Sequence, residues 1–203
     1  MADLIALRHS PLDGLDTELR NGAGEGEVRL LERPFLSMVS LRVDPDSAAA
    51  RGIECALELA LPGTCGEVAQ RGELAVLWLG PDEWLVVSDP TVADGVPDVA
   101  AGLRAATGGG HAAIVDVSAN RTVLEVAGAR AREVLEKGCP VDLHPRVLAD
   151  DTAVTTTLAR IPVLLWKVDR TTFRVLPRAS FAPYVARWLL DAMQEFAPLD
   201  QSA

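Results

Sequence analysis

Short runs of alternating hydrophobic and polar residues extend over most of this chain. In the run at residues 35–43, Phe35, Val39 and Leu41 fall on one face, and Leu36 and Met38 fall on the other. Alternation with a period of two is typical of β-strands. Comparable runs predict strands at residues 27–34, 35–43, 74–80, 83–88, 111–118, 121–128, 153–160, 162–168 and 172–177.

Four other segments have the composition or spacing of helices. They predict helices over residues 46–57, 96–106, 129–137 and 181–196. Asp46-Ser47 is typical of a helix start, and Lys137-Gly138 is typical of a glycine-capped end. Because strands and helices are mixed rather than strictly alternating, we expect an α+β fold with largely antiparallel sheets and packed helices.

A single α+β domain is expected over residues 27–203, preceded by an N-terminal arm over residues 1–26. The arm is polar and rich in glycine, so it has little core of its own. A second glycine-rich stretch, residues 107–110, is the candidate seam for a division into two small lobes. With 203 residues, 49% of them hydrophobic, the chain can bury a sizeable core.

Acidic residues outnumber basic ones, and the formal net charge is −10. A surface of this sign repels phosphate groups, so we expect neither a nucleic acid nor a membrane as a partner. The three cysteines form no C-x-x-C pair, which argues against a disulfide framework and for a reducing compartment. The sequence also lacks a signal-peptide pattern and an apolar run of about 20 residues, which favours a cytoplasmic location.

The usual cofactor and metal motifs are missing from the sequence. His9, His111 and His144 lie far apart, without the spacing of metal ligands. The glycines at 108–110 precede a predicted strand rather than a helix, which argues against a phosphate cradle. Neither G-x-G-x-x-G nor G-x-S-x-G occurs in the chain. We therefore expect no cofactor-binding or metal-binding residue here.

The motif VDVSANRTVLEVAG, residues 115–128, places Asp116, Ser118, Asn120 and Arg121 between two apolar runs. One interpretation is a catalytic acid beside an anion clamp. The other is a turn between two strands, in which Asp116 accepts hydrogen bonds from turn amides and Arg121 pairs with Asp116. The second interpretation is favoured, because short polar side chains commonly pair within turns.

Six phrases of the sequence together resemble one protein family, the gamma subunit of heterotetrameric sarcosine oxidase. The likeness runs in order from about residue 8 to residue 196, with Thr155 as one departure in a predicted strand. The phrases are RHSPL (8–12), PFLSMVSLRVDP (34–45), LWLGPDEWLVV (77–87), VDVSANRTVLEVAG (115–128), LEKGCPVDLHPR (135–146) and SFAPYVARWLLDAM (180–193).

The resemblance implies a non-catalytic subunit whose fold is similar to the folate-binding domain of aminomethyltransferases. Complexes of this family demethylate sarcosine oxidatively to glycine, release hydrogen peroxide and pass the one-carbon unit to tetrahydrofolate. The resemblance also implies that this chain docks directly on the alpha subunit, with beta and delta subunits in the same complex. FAD, FMN, NAD, zinc and tetrahydrofolate are then expected on the partner subunits. Trp84, Arg121 and Arg178 are the predicted anchors of the interface.

Aminomethyltransferases carry a G-G-I-L-D-D run whose carboxylate works on the folate nitrogen. The matching stretch here is residues 160–168, where Leu164 and Leu165 stand near the carboxylate positions. Leucine can neither hold nor transfer a proton, so the resemblance predicts no catalytic residue. Two alternatives remain open: a stand-alone folate-binding or folate-dependent protein on the same fold, supported by the DVS segment, and an unrelated interaction module.

Overall fold

Two five-stranded sheets form the centre of the computed structural model, which describes residues 8–15, 17–19, 27–89 and 98–197. The first sheet has the order β1-β7-β10-β9-β8 and the second β3-β4-β5-β2-β6. The strands are β1 (Arg29–Arg33), β2 (Ser37–Val43), β3 (Val68–Arg71), β4 (Leu74–Gly80), β5 (Glu83–Ser88), β6 (Ala112–Asp116), β7 (Val123–Ala127), β8 (Thr152–Leu158), β9 (Ile161–Lys167) and β10 (Thr172–Pro177).

Neighbouring strands in both sheets run antiparallel. The described residues also form helices α1 (Ala48–Leu57), α2 (Val99–Ala106), α3 (Ala131–Glu136) and α4 (Ala182–Met193), with 3₁₀ turns at Asp13–Leu15, Ala179–Phe181 and Gln194–Phe196. The predicted α+β class with antiparallel sheets is confirmed. Strand β3 was not predicted from the sequence.

The two sheets pack face to face, and each carries helices on its outer face. Met38, Leu77 and Leu164 belong to the core between the sheets. The alternate residues of the same strands point outward, so that Val39 packs under α1 and α2 and Leu165 packs under α3 and α4. This double burial follows from the period of two, because successive side chains of a strand leave opposite faces.

The N-terminal segment contributes to the core of the first sheet. Leu12, Leu15 and Leu19 are buried among the residues that pack between this sheet and α3 and α4. The Ser10 hydroxyl donates a hydrogen bond to Glu32 in β1. Of the arm expected over residues 1–26, the described part, residues 8–15 and 17–19, is therefore tied to the domain by apolar packing, and the rest lies outside the described residues.

The chain crosses between the two sheets at residues 34–36 and 117–122, which link β1 to β2 and β6 to β7. Residues 107–110 instead join α2 to β6, both of which belong to the layers of the second sheet. The expectation of a seam near 107–110 is therefore corrected: this glycine-rich stretch is a turn within one half of the molecule.

Of two helix ends predicted from the sequence, the start of α1 is confirmed and the glycine cap after α3 is wrong. The Ser47 hydroxyl caps α1 by accepting a hydrogen bond from the Ala50 amide, as its sequence predicts. Gly138 is not the left-handed cap expected after α3, since its φ is not positive. Glycine is needed there for space, because a Cβ atom would lie 2.6 Å from Cζ2 of Trp188.

Candidate functional site

The crossing at residues 117–122 is held by Asp116 and Ser118. Asp116 Oδ1 accepts hydrogen bonds from the Ser118 amide at 2.9 Å and the Ser118 hydroxyl at 2.5 Å. The Ser118 hydroxyl oxygen also accepts from the Met38 amide in β2 at 3.0 Å. These bonds from Ser118 hold the pKa of Asp116 below its ordinary value. The carboxylate thus stabilises the turn, as the favoured interpretation of the motif predicts.

Arg121 has a different partner from the one expected. Its Nη1 atom donates to the carbonyl oxygen of Leu176 in β10 at 2.8 Å, not to Asp116. Its backbone forms an antiparallel bridge with Arg178, so the two predicted arginines lie side by side. Burial, and secondly the positive charge of Arg178, lower the pKa of Arg121. The expected Asp116–Arg121 pair is therefore corrected.

The same crossing lines a cleft of about 370 Å³, which we call the arginine cleft. Its wall includes Phe35, whose side chain is 44% exposed, and the N-terminal residues of the described chain. The lining residues are Arg8, His9, Pro11, Phe35, Asp116, Ser118, Ala119, Arg121 and Thr122. A cleft of this size is within the range of binding pockets.

Trp84 does not lie at the surface of this chain, although it was predicted to anchor a partner. The side chain is 1% exposed and packs under α1 and α2. Its indole Nε1 donates a hydrogen bond to the carbonyl oxygen of Pro62 at 2.8 Å. A side chain enclosed by its own chain offers no contact surface, so Trp84 is removed from the set of interface candidates.

Leu164 and Leu165, at the positions matched to the aminomethyltransferase carboxylate, are both core residues. Leu164 is 2% exposed and lies between the sheets, whereas Leu165 is 1% exposed and faces α3 and α4. This part of β9 therefore presents apolar side chains to both of its neighbouring layers.

A second cleft, of about 200 Å³, holds a charged cluster that sequence reasoning missed. The Arg33 guanidinium lies 3.2 Å from the carboxylates of Glu73 and Asp89 and 3.5 Å from Glu125. Arg174 also pairs with Glu125, and its guanidinium lies over the ring of Trp166. These residues come from distant parts of the chain, so no local motif marks the cluster. Two arginines face three carboxylates in this cluster, so each guanidinium group has an acidic partner.

The described residues contain neither a cluster of metal ligands nor a membrane-spanning helix. There, no group of three or more His, Cys, Asp or Glu side chains is placed to hold a metal ion. Across the same part of the chain, no helix combines the length and apolar character needed to cross a membrane. The three cysteines are free thiols: Cys55 and Cys65 are exposed, and Cys139 is buried.

Comparison with known proteins identifies close relatives along nearly the whole chain. The family model "Sarcosine oxidase, gamma subunit family" matches residues 42–195. Sarcosine oxidase subunit gamma from Arthrobacter sp is 45% identical over 198 residues, covering 97% of this chain and 95% of that protein. The protein of the same name from Corynebacterium sp. (strain U-96) is 42% identical over 202 residues, with the same coverage.

Two solved structures are similar to this chain in fold. Heterotetrameric sarcosine oxidase from Corynebacterium sp. U-96, in complex with pyrrole 2-carboxylate, contains a chain that is 40% identical. The superposition has a TM-score of 0.86 and covers 97% of this chain and 100% of that one. Glycine cleavage system aminomethyltransferase T from Bartonella henselae is 13% identical with a TM-score of 0.58, covering 81% of this chain and 45% of that one. The second match shows the fold alone and confirms the expected likeness to aminomethyltransferases. From the family match and the near-complete relatives, we conclude that the chain belongs to the sarcosine oxidase gamma subunit family.

Proposed function

We propose that this chain is a non-catalytic subunit of a heterotetrameric sarcosine oxidase and that it braces the alpha subunit. The relative from Corynebacterium sp. U-96 was solved as part of such an assembly. The complex would demethylate sarcosine oxidatively to glycine and pass the one-carbon unit to tetrahydrofolate. The three free cysteines are compatible with a reducing cytoplasm, where we place the complex.

The observation that carries the non-catalytic role is the packing of Leu164 and Leu165. The resemblance puts a proton-transferring carboxylate near these positions in aminomethyltransferases. Here both side chains are buried hydrocarbon, at 2% and 1% exposure. Hydrocarbon cannot accept or donate a proton, so the fold is retained without that acid.

In this proposal, FAD, FMN, NAD, zinc and tetrahydrofolate bind to the partner subunits. The gamma chain contributes a folded surface that stabilises the assembly. A stable subunit contact buries about 1,600 Å² or more in total. Arg121 and Arg178 remain the candidates for anchors on this chain, since they lie side by side at the end of β10.

The proposal is tested by expressing the alpha, beta and delta subunits with and without this chain. We expect the chain to co-purify with the alpha subunit, and its omission to lower the yield and thermal stability of the flavin-containing complex. The purified chain alone is expected to form no hydrogen peroxide from sarcosine. Sarcosine oxidation by the isolated chain, or failure to co-purify with the alpha subunit, contradicts the proposal.

Calorimetric titration of the full chain with a reduced folate separates this role from the stand-alone alternative. A non-catalytic brace is expected to give no binding heat. Micromolar or tighter binding, corresponding to about −8 kcal/mol or better, supports a folate-dependent protein instead.

A further inference from the structure

The arginine cleft carries more positive charge than the described residues around it neutralise. Arg121 donates to a backbone carbonyl oxygen, and neither it nor Arg8 or Arg178 has a carboxylate within 4.0 Å among the described residues. The lining holds two arginines, Arg8 and Arg121, against one carboxylate, Asp116, whose hydrogen bonds come from Ser118. The second cleft differs in this respect, because Arg33 there lies close to three carboxylates.

The position of Arg121 makes this excess charge costly in the free chain. The residue is half-buried, and burial together with the nearby Arg178 lowers its pKa. Arginine keeps its charge in proteins, so the repulsion is not relieved by loss of a proton. An anion bound by both arginines would relieve it. Carboxylates bind guanidinium groups through paired hydrogen bonds, which makes them well matched to such a site.

Exposed aromatic side chains lie in the cleft wall and along the chain just after Arg178, which favours a protein partner over a free ion. Phe35 is 44% exposed and is held at a φ of 62°, a conformation that bulky residues rarely adopt. Phe181 and Tyr184, which follow Arg178 along the chain, are 41% and 52% exposed. Arginine and aromatic residues are the types enriched at protein interfaces and at their energetic centres.

We propose that the arginine cleft, together with Arg178 beside Arg121, receives an acidic segment of the alpha subunit, with Arg121 and Arg178 binding a carboxylate and Phe35 packing against the apolar part of the segment. This inference rests on the proposed function and deepens it, since it names the surface and the chemistry of the contact. Charge complementarity supports the choice of an acidic segment: the cleft is locally cationic on a chain whose net charge is −10.

The test is an exchange of charge at Arg178. This side chain is exposed and has no hydrogen-bond or ion-pair partner among the described residues, so Arg178→Glu is expected to leave the fold intact. Arg170→Glu is the matched control, because Arg170 is also exposed and lies in the turn between β9 and β10, at the opposite end of β10 from Arg178. Both substitutions change the net charge by the same amount.

The measurement uses the four co-expressed subunits, captured through a tag on alpha. After washing, the rate at which the gamma chain leaves the immobilised complex is followed. We expect Arg178→Glu to leave at least tenfold faster than the wild type, which corresponds to about 1.4 kcal/mol, and Arg170→Glu to leave within twofold of the wild type. Raising the salt concentration is expected to accelerate release of the wild type more than release of Arg178→Glu.

Two results overturn this inference. One is release of Arg178→Glu at the wild-type rate, and the other is equal acceleration by Arg178→Glu and Arg170→Glu. Thermal unfolding of both variants shows whether their folds are equally stable, and a fold defect in Arg178→Glu moves the test to Arg178→Gln with the same expectation. If the wild-type chain does not co-purify with alpha at all, the proposed function fails, which is a separate outcome.

Discussion

Lys167, the last residue of β9, shows at the residue scale how a charged side chain is accommodated in the interior of the protein. The residue is 1% exposed. Its Nζ donates to the carbonyl oxygen of Leu148 at 2.8 Å and to Asp150 Oδ1 at 2.9 Å. An unpaired ammonium group in such a place costs several kcal/mol, so these two acceptors are what permit a lysine at this position.

Removing this lysine is expected to destabilise the chain. Lys167→Met leaves the buried Leu148 carbonyl without its donor, at a cost of about 1–3 kcal/mol. Lys137→Met is the matched control, because Lys137 also bonds a carbonyl oxygen, that of Ala192, and pairs with Glu195. Its side chain is 31% exposed, so water can replace the donor and the loss is expected to be below about 1 kcal/mol. Urea unfolding measures the free energy of unfolding of both variants. Equal losses of stability in the two would contradict the role of burial.

Ser118 holds the turn at residues 117–122 in place and also lowers the pKa of the Asp116 carboxyl group. Its hydrogen bonds lower the pKa of Asp116, so they contribute stability that is present above the unfolded pKa of about 3.9 and is lost as the pH falls through the folded pKa. Ser118→Ala removes the hydroxyl donor to Asp116 and the acceptor of the Met38 amide.

We therefore expect Ser118→Ala to raise the pKa of Asp116 towards its ordinary value and to lower the free energy of unfolding by about 1 kcal/mol at pH 7. The difference from the wild type is expected to narrow as the pH falls through the lowered folded-state pKa of Asp116. NMR titration of the Asp116 carboxyl and urea unfolding at several pH values measure the two effects. Ser180→Ala, at an exposed serine, serves as the control; an unchanged Asp116 pKa in Ser118→Ala speaks against this account.

Individual contacts differed in how far the sequence could predict them. The role of Asp116 followed from the spacing of short polar side chains, because its partner Ser118 is two residues away. The partner of Arg121 could not be predicted, since Leu176 lies 55 residues further along the chain. The burial of Trp84 was missed because both faces of β5 are covered, and alternation alone does not distinguish a surface face from a helix-covered one.

At the scale of elements, α1 and α2 meet at a close backbone contact. A Cβ atom added at Gly52 in α1 would lie 2.1 Å from the carbonyl oxygen of Ala106 in α2. Gly102 in α2 has no atom within 4 Å of the same added position. The two glycines therefore lie in the same helical layer, but Gly52 is closely packed against the neighbouring helix and Gly102 has open space beside it.

This difference predicts opposite effects for the same substitution. Gly52→Ala is expected to lower the free energy of unfolding by about 1–3 kcal/mol, because the helices must move apart. Gly102→Ala is expected to raise it by about 0.5–1 kcal/mol, since alanine is the better helix former. Thermal or urea unfolding of the two variants measures the difference, and a stabilising Gly52→Ala would rule out the close contact.

Element positions were largely predictable, whereas their assignment to sheets was not. Of the strands in the described residues, the prediction missed β3, which has only four residues, none of them buried. Strands β6 and β7 were expected to be linked by a turn, and residues 117–122 do link them, but the two strands lie in different sheets. A hairpin and a crossover of this length have similar local patterns, and long-range packing decides between them.

For the whole molecule, the core between the sheets is expected to couple their unfolding. Leu164→Ala removes a side chain that is 2% exposed in this core and is expected to cost about 2–5 kcal/mol. Leu31→Ala, at a side chain that is 40% exposed, is expected to cost much less. Far-UV circular dichroism and tryptophan fluorescence are expected to give one coincident transition for each protein. Separate transitions would show that the sheets unfold independently.

The connectivity of the sheets has a consequence for synthesis on the ribosome. All strands of the second sheet come from residues 37–116, a continuous stretch, whereas the first sheet joins β1 to β7, β8, β9 and β10. During N-to-C-terminal emergence, β1 leaves the exit tunnel long before its neighbour β7, and the leucines at 12 and 15 emerge earlier still. In the nascent chain, β1 and these leucines must therefore remain without their packing partners while residues 37–116 fold.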